Sequence, residues 1–356
     1  MERLRLGLSR LRADAFLVSR LPNIRYLCEF SGSAGLMLVE ASRSTLFTDS
    51  RYSFQAKEEV HGTRVHIVKH GLLQAAAEAL LSLSHRRARL WVAYSPAHLS
   101  VAQMEILQIG AGKRVRWVQD DSSVEKLRAV KDADELDRMR EAARVISEAF
   151  LGVLPKIKPG VTELQLAAEI EYGIKRCGGS GPSFETIVAS GNRSAWAHAR
   201  PTAKRLRKND LVVLDQGAIL RGYCSDMTRT VFVGKASRRV RNLYDAVWEA
   251  QAAAKAAVKP GVRAGDVDRA ARSALKRHGL ARYFTHSTGH GLGLEVHEMP
   301  RLGRGEDAVL QEGMVITIEP GVYIEGFGGI RIEDDVAVTA AGAVDMTTAP
   351  RDLLEL

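Results

Sequence analysis

Hydrophobic and polar positions divide this chain into two stretches of different pattern. In the first, short apolar runs alternate with helical spacing. Met1–Arg12, Arg51–Val60 and Leu72–Leu83 read as helices, and Ala15–Val18, Leu36–Val39, Thr45–Phe47, Val65–Val68 and Leu90–Ala93 read as strands. Such alternation predicts an α/β domain. The polar stretch 119–135 interrupts it and places a boundary between 120 and 130, so the expected domains are 1–125 and 126–356. A long amphipathic helix then runs from about Asp132 to Val153, with Met139, Ala142, Ala143, Ile146, Ala149, Phe150 and Val153 at helical spacing.

The second stretch contains an internal repeat. Lys158–Gly178 aligns with Lys259–Gly279 at a constant offset of 101, with 7 of 21 positions identical. Each copy is a Pro-Gly turn, an amphipathic helix and a closing Lys-Arg-x-Gly, with glycine suited to the helix C-terminus. The likeness continues loosely beyond the helices. The strand ending Asp215-Gln216-Gly217 answers to Val315–Gly321, and Asp226 answers to Glu333. The expectation is two halves about a pseudo-twofold axis, each a helix pair with antiparallel strands.

Carboxylates stand at matching places in these halves. Leu211–Leu214 is an apolar run that ends on Asp215, and a β-rich run opens with Asp226. A carboxylate at the end of a buried strand is costly unless it is paired or bound to a metal. Alone, such a pair is most simply a turn cap and a solvated side chain. Glu319 and Glu333 recur in equivalent settings, and Arg331 shares the strand face of Glu333 because Ile330 and Ile332 take the other. Four acids placed alike point to shared cations. A glycine-rich segment, His286–Glu298, adds His286, His290 and His297, any of which offers an imidazole. Four carboxylates with one imidazole suit manganese, cobalt or iron, with zinc also compatible. Two such ions about 3.5 Å apart activate a water as a nucleophile near neutral pH.

Composition removes other classes. Three cysteines, Cys28, Cys177 and Cys224, with no CxxC pair give neither a disulfide framework nor a thiolate zinc site, which fits a cytoplasmic protein. The N-terminus has no uninterrupted apolar core of a signal peptide, and no run is long enough to span a membrane. Net charge is +9, but the basic clusters are short and lack interleaved aromatics, so no nucleic-acid role is expected.

On these residues the chain resembles the pita-bread metallopeptidases, the creatinase/aminopeptidase P/prolidase family. Asp215, Asp226, His290, Glu319 and Glu333 match that family's metal pattern in order and context. His198 in HARPT and His297 in VHE match its active-site histidines. Ile24–Leu27 with Phe30–Gly32 matches an early loop of the creatinase/prolidase N-terminal domain, and Phe47–Tyr52 a strand-to-helix turn. That domain disfavours methionine aminopeptidases, and the retained acids disfavour creatinases. Gln216 departs from the pattern, because relatives commonly carry an apolar or aromatic residue there.

The resemblance implies an α/β N-terminal domain followed by an α+β pita-bread domain. It implies two divalent metal ions, manganese foremost, on Asp215, Asp226, His290, Glu319 and Glu333. Glu319 would also serve as general base, and His198 and His297 would stabilise the tetrahedral intermediate. His286 and Arg331 would contact the substrate. The resemblance runs closest to bacterial Xaa-Pro aminopeptidases, which release the N-terminal residue from peptides with proline second. The alternatives are an Xaa-Pro dipeptidase (prolidase) or a non-catalytic peptide-binding module. A homodimer is the expected assembly.

Overall fold

A computed structural model describes residues 1–120 and 122–356; Asp121, in the polar boundary stretch, lies outside the described residues. The chain forms two compact units, Met1–Arg128 and Ala129–Leu356. The polar stretch near their junction is itself partly helical, over Ser123–Ala129.

The first unit is built on a six-stranded sheet in the order Arg64–Val68, Ser44–Asp49, Leu36–Glu40, Ala15–Val18, Leu90–Tyr94, Val115–Gln119. Period-two alternation gives the sheet two apolar faces. Ala15, Leu17, Leu36 and Leu38 pack with the helices Leu72–Ser84 and Val101–Ala111. Phe16, Val18, Met37 and Val39 pack with Glu2–Leu11 and Leu21–Cys28. Two local readings need correction. Ile24–Leu27, matched above to a loop, lies in the helix Leu21–Cys28, which carries Pro22 in its first turn. The helix expected over Arg51–Val60 is a 3-10 turn at Ser50–Tyr52, capped by Asp49, and a short helix Gln55–Glu59.

The second unit repeats one plan. In the first half, the helices Ala133–Val153 and Glu163–Arg176 pack against a sheet in the order Met227–Phe232, Leu211–Gln216, Ile187–Ser190. In the second, Arg238–Ala257 and Ala264–Arg277 pack against a five-stranded sheet whose centre is Val315–Ile318 beside Asp334–Thr339. The repeated turns obey the same backbone rule. Gly160 and Gly261 have φ of 92° and 87°, and Gly178 and Gly279 have 96° and 72°, a region where a Cβ is strained. Asp132 caps the first long helix with a reciprocal Glu135 bond.

The strand register refines the repeat. Asp226 and Glu333 each precede their strand by one residue. Thr228 pairs with Asp215, whereas Asp334 pairs with Ile318, so Asp215 stands two residues deeper in its sheet than Glu319 does in its own. The acids are therefore not register-equivalent, although the repeat aligns them. Asp215 and Glu319 reach the same place by different offsets.

Candidate metal centre

Two antiparallel strand pairs carry the acids. Period-two alternation does the sorting in the first: Val212 and Leu214 turn to the helix core, while Asp215 lines a cavity of about 900 Å³. That cavity gathers His198, Asp215, Asp226, His286, His290, His297, Glu319, Arg331 and Glu333, all nine residues singled out in the sequence. Asp226, His290 and Glu333 each offer a ligand atom within 4.8 Å of the others. His290 Nε2 lies 3.6 Å from Asp226 Oδ2 and 3.7 Å from Glu319 Oε1.

Protein groups hold the acids and the imidazole from behind. Arg331 Nη2 donates to Asp215 Oδ2 at 2.6 Å. The Thr228 hydroxyl donates to Glu333 Oε2 at 2.6 Å. The backbone N–H of Asp226 donates to Asp335 Oδ2 at 3.0 Å. His290 Nδ1 sits 3.0 Å from the Gly291 carbonyl, which can only accept, so Nδ1 carries the proton and Nε2 presents its lone pair. Gly289 lets its strand lie close to Thr317, whose hydroxyl accepts from the His290 backbone N–H at 3.1 Å: a Cβ at Gly289 would lie 1.9 Å from the Thr317 carbonyl oxygen. Fixing the second nitrogen of a ligand histidine in this way sets its tautomer and aim.

Electrostatics without cations are unfavourable. Two like charges about 4 Å apart at an effective dielectric constant near 20 repel by about 4 kcal/mol. Burial, and then Glu333 and Asp215, push the Asp226 carboxyl well above the usual range. Burial, and then Glu319 and Asp215, do the same to Glu333. Glu319 is pushed up to about 8 by burial, with Arg331 opposing and Asp215 adding. Burial lowers His290 to about 4, and the neighbouring His297 adds to this. His297 is itself lowered, by burial and by His198.

The donor set fits divalent cations. Asp215 Oδ1 and Asp226 Oδ1 are buried and have no hydrogen-bond partner among the described residues. An orphaned buried carboxylate oxygen is costly, and a cation removes the cost. The His290–Asp226 and His290–Glu319 separations are too long for hydrogen bonds. They suit donors that each reach a common ion over about 2.1 Å.

His286 and Arg331 line the cavity with their polar atoms already engaged. Arg331 Nη1 donates to the Tyr323 oxygen at 2.7 Å and to the Ala197 carbonyl at 3.2 Å. Since Arg331 only donates, the Tyr323 O–H turns to His286 Nε2 at 2.8 Å. His286 then keeps its proton on Nδ1, 2.8 Å from the Ser287 carbonyl.

Sequence reading missed Thr228, Tyr323, Asp335 and Arg301. Thr228 and Asp335 were within reach, because each stands two residues after an acid and so shares its strand face. Arg301 pairs with His290 across a short hairpin and lines the cavity, but that pairing has a bulge that periodicity does not reveal. Gln216 is fully buried, and both its amide atoms lack partners among the described residues.

A family model for metallopeptidase family M24 matches residues 137–340, and one for the creatinase/prolidase N-terminal domain matches 1–130. The chain is 36% identical to a Xaa-Pro dipeptidase of Pyrococcus furiosus, over 96% of this chain and 95% of that one. A solved Xaa-Pro dipeptidase from Bacillus anthracis superposes with a TM-score of 0.95 at 35% identity, covering 100% of this chain and 98% of that one. An X-Pro aminopeptidase from Thermotoga maritima MSB8 does so at 0.90 and 35%, covering 98% and 99%.

Fold and donor set together define a metal-dependent peptidase. The chain belongs to the creatinase/aminopeptidase P/prolidase family, with a creatinase-type N-terminal domain followed in sequence by a pita-bread M24 domain. Its relatives favour the dipeptidase reading over the aminopeptidase reading that the resemblance had put first. No helix among the described residues is long and apolar enough to cross a membrane.

Proposed function

We propose that this chain hydrolyses the bond between an N-terminal residue and proline, with Xaa-Pro dipeptides as its preferred substrates. The observation that carries the reading is the convergence of four acids and His290 on one cavity, with two buried carboxylate oxygens left unpartnered among the described residues. Asp215, Asp226, His290, Glu319 and Glu333 would hold two divalent cations. Manganese suits this oxygen-rich set, and cobalt, iron and zinc are compatible. Such a pair, when bound, would polarise the scissile carbonyl and bring the pKa of a water towards neutrality.

The chain's own residues supply the rest. Glu319, which lines the cavity with its Oε1 3.7 Å from His290 Nε2, is placed to take a proton from water and return it to the departing nitrogen. That return is obligatory, because the proline nitrogen must be protonated to leave as an amine when the C–N bond breaks. His297 meets His290 edge to face with ring centroids 4.3 Å apart, and with His198 it can donate to the carbonyl oxygen as charge develops there. Arg331 and Tyr323 hold Asp215 and His286 in place.

Arg301 supports the dipeptide preference. A dipeptide is marked by a free carboxylate one residue beyond the scissile bond, and a guanidinium binds a carboxylate in two-point fashion. Arg301 lines the cavity, as does Arg200, but Arg200 is paired with Glu185 at 3.0 Å.

The second reading is the Xaa-Pro aminopeptidase, favoured by the similarity to the Thermotoga maritima structure. A substrate-length series separates the two. With manganese, cobalt and zinc tried separately, Xaa-Pro should be cleaved much faster than Xaa-Pro-Xaa, and equal or greater rates on longer peptides would make the enzyme an aminopeptidase. A non-catalytic peptide-binding module retains little support with all five donors in place; a purified chain that binds no divalent metal, and whose background activity Asp226→Ala leaves unchanged, would restore it.

A further inference from the structure

Glu163 opens the helix Glu163–Arg176 and is fully buried, yet it lies outside the acid cluster. Its Oε1 accepts from the Ser190 backbone N–H at 2.9 Å and the Ser190 hydroxyl at 2.8 Å. Its Oε2 accepts from the Thr202 N–H at 3.0 Å, the Thr202 hydroxyl at 2.8 Å and Arg193 Nε at 3.1 Å. These three residues bracket one segment. Ser190 ends the strand that enters it, Arg193 lies in its 3-10 turn Gly191–Ala195, and Thr202 closes it. His198 lies between them and lines the cavity.

The backbone reinforces the same arrangement. The N–H groups of Glu163 and Leu164, free at the helix start, donate to the carbonyls of Lys204 and Thr202, both at 3.1 Å. Arg193 Nη2 reaches the Arg200 carbonyl at 2.5 Å. The far side of the segment meets the metal site, where the Ala197 carbonyl accepts from Arg331. A buried carboxyl needs donors, and among the described residues those of Glu163 come from Ser190, Arg193 and Thr202, within one stretch of chain. Two stretches singled out in the sequence, Lys158–Gly178 and HARPT, meet at this point through Glu163 and Thr202.

The second half uses the same device one turn further along. Ala264 stands where Glu163 does in the repeat, and the buried acid is Asp268. Asp268 accepts from the Thr288 hydroxyl at 2.9 Å and from Arg272 Nε at 2.7 Å. Arg272 in turn donates to the carbonyls of Phe284 and His286, at 3.0 and 2.5 Å. Each half thus ties a histidine-bearing segment to a buried acid on its second helix.

We infer that Glu163 is a positioning residue that fixes where His198 stands at the cavity, without touching substrate. The inference rests on the reading of His198 as a substrate-facing group. A displacement of about 1 Å in such a group can cost a hundredfold in rate.

The test compares wild type, Glu163→Gln, His198→Ala and the double variant, as metal-loaded full chains acting on a Xaa-Pro dipeptide. Glu163→Gln should lower kcat by about tenfold or more with little change in KM. Its metal content should equal wild type, and on the His198→Ala background it should lower kcat no further, as expected for two residues acting as one unit. An undiminished effect of Glu163→Gln on that background, an unchanged kcat, or a loss of metal would each overturn the inference. A wild-type rate in His198→Ala overturns the reading of His198 and the inference with it, so the two failures are told apart. Should Glu163→Gln not fold, Thr202→Val removes one donor only. It should show the same non-additivity at smaller size, and full additivity overturns the inference.

Discussion

Arg331 shows how one side chain serves both order and electrostatics. It is 3% exposed and donates to Asp215, Thr228, Tyr323 and the Ala197 carbonyl. Removing one partner of a buried ion pair leaves the other charge uncompensated, at about 3–5 kcal/mol. In metal-free protein, Arg331→Met should therefore lower unfolding free energy by about 3 kcal/mol or more. With cations bound, Asp215 regains compensation and the loss should shrink; denaturant titrations with and without metal measure the difference. Gln216 is the opposite case. Its amide is buried next to Asp215 with no partner among the described residues, which costs about 1–3 kcal/mol. Gln216→Met, close in volume, should raise stability by about 1 kcal/mol, and a fall in the same titration would mean the amide has a partner. At this scale the acids that meet at the cavity were legible in the sequence because acids at strand ends are anomalous. Tyr323 was not, since a tyrosine in a hairpin is ordinary until Arg331 and His286 are brought to it by tertiary structure.

Elements with local punctuation were legible: Asp132 caps its helix, and the Pro-Gly turns and terminal glycines frame both repeat helices. The helix Leu21–Cys28 escaped because eight residues carry too few turns for a clear period. The offset between Asp215 and Glu319 escaped because register is a property of paired strands, and one sequence alone cannot reveal it. The pairing of Gly289–Gly291 with Val315–Ile318 matters most for function, since it carries His290 to the acids. Gly289→Ala would put a Cβ 1.9 Å from the Thr317 carbonyl oxygen and must part these strands. Its metal affinity should fall at least about tenfold, in the manner of altered ligand support, while far-ultraviolet circular dichroism stays near wild type. Unaltered affinity in a competition titration would show that the close approach is not needed.

For the whole molecule, both units and their classes follow from element alternation and from the repeat. Substrate length does not, because the same acids and imidazole would serve the scissile bond of a dipeptide or of a longer peptide alike. Arg301→Ala should raise KM for Xaa-Pro dipeptides by about tenfold, in keeping with a lost charged hydrogen bond, and leave longer peptides nearly unaffected. Equal effects on both in steady-state kinetics would remove Arg301 from substrate recognition. The central claim is that Asp215, Asp226, His290, Glu319 and Glu333 form one metal centre. Metal content after manganese loading and desalting, measured by inductively coupled plasma mass spectrometry on wild type and Asp226→Ala, tests it most directly. The account predicts two ions per wild-type chain and a clear loss in the variant. Wild-type protein without bound ions, or a variant that keeps both, would contradict it.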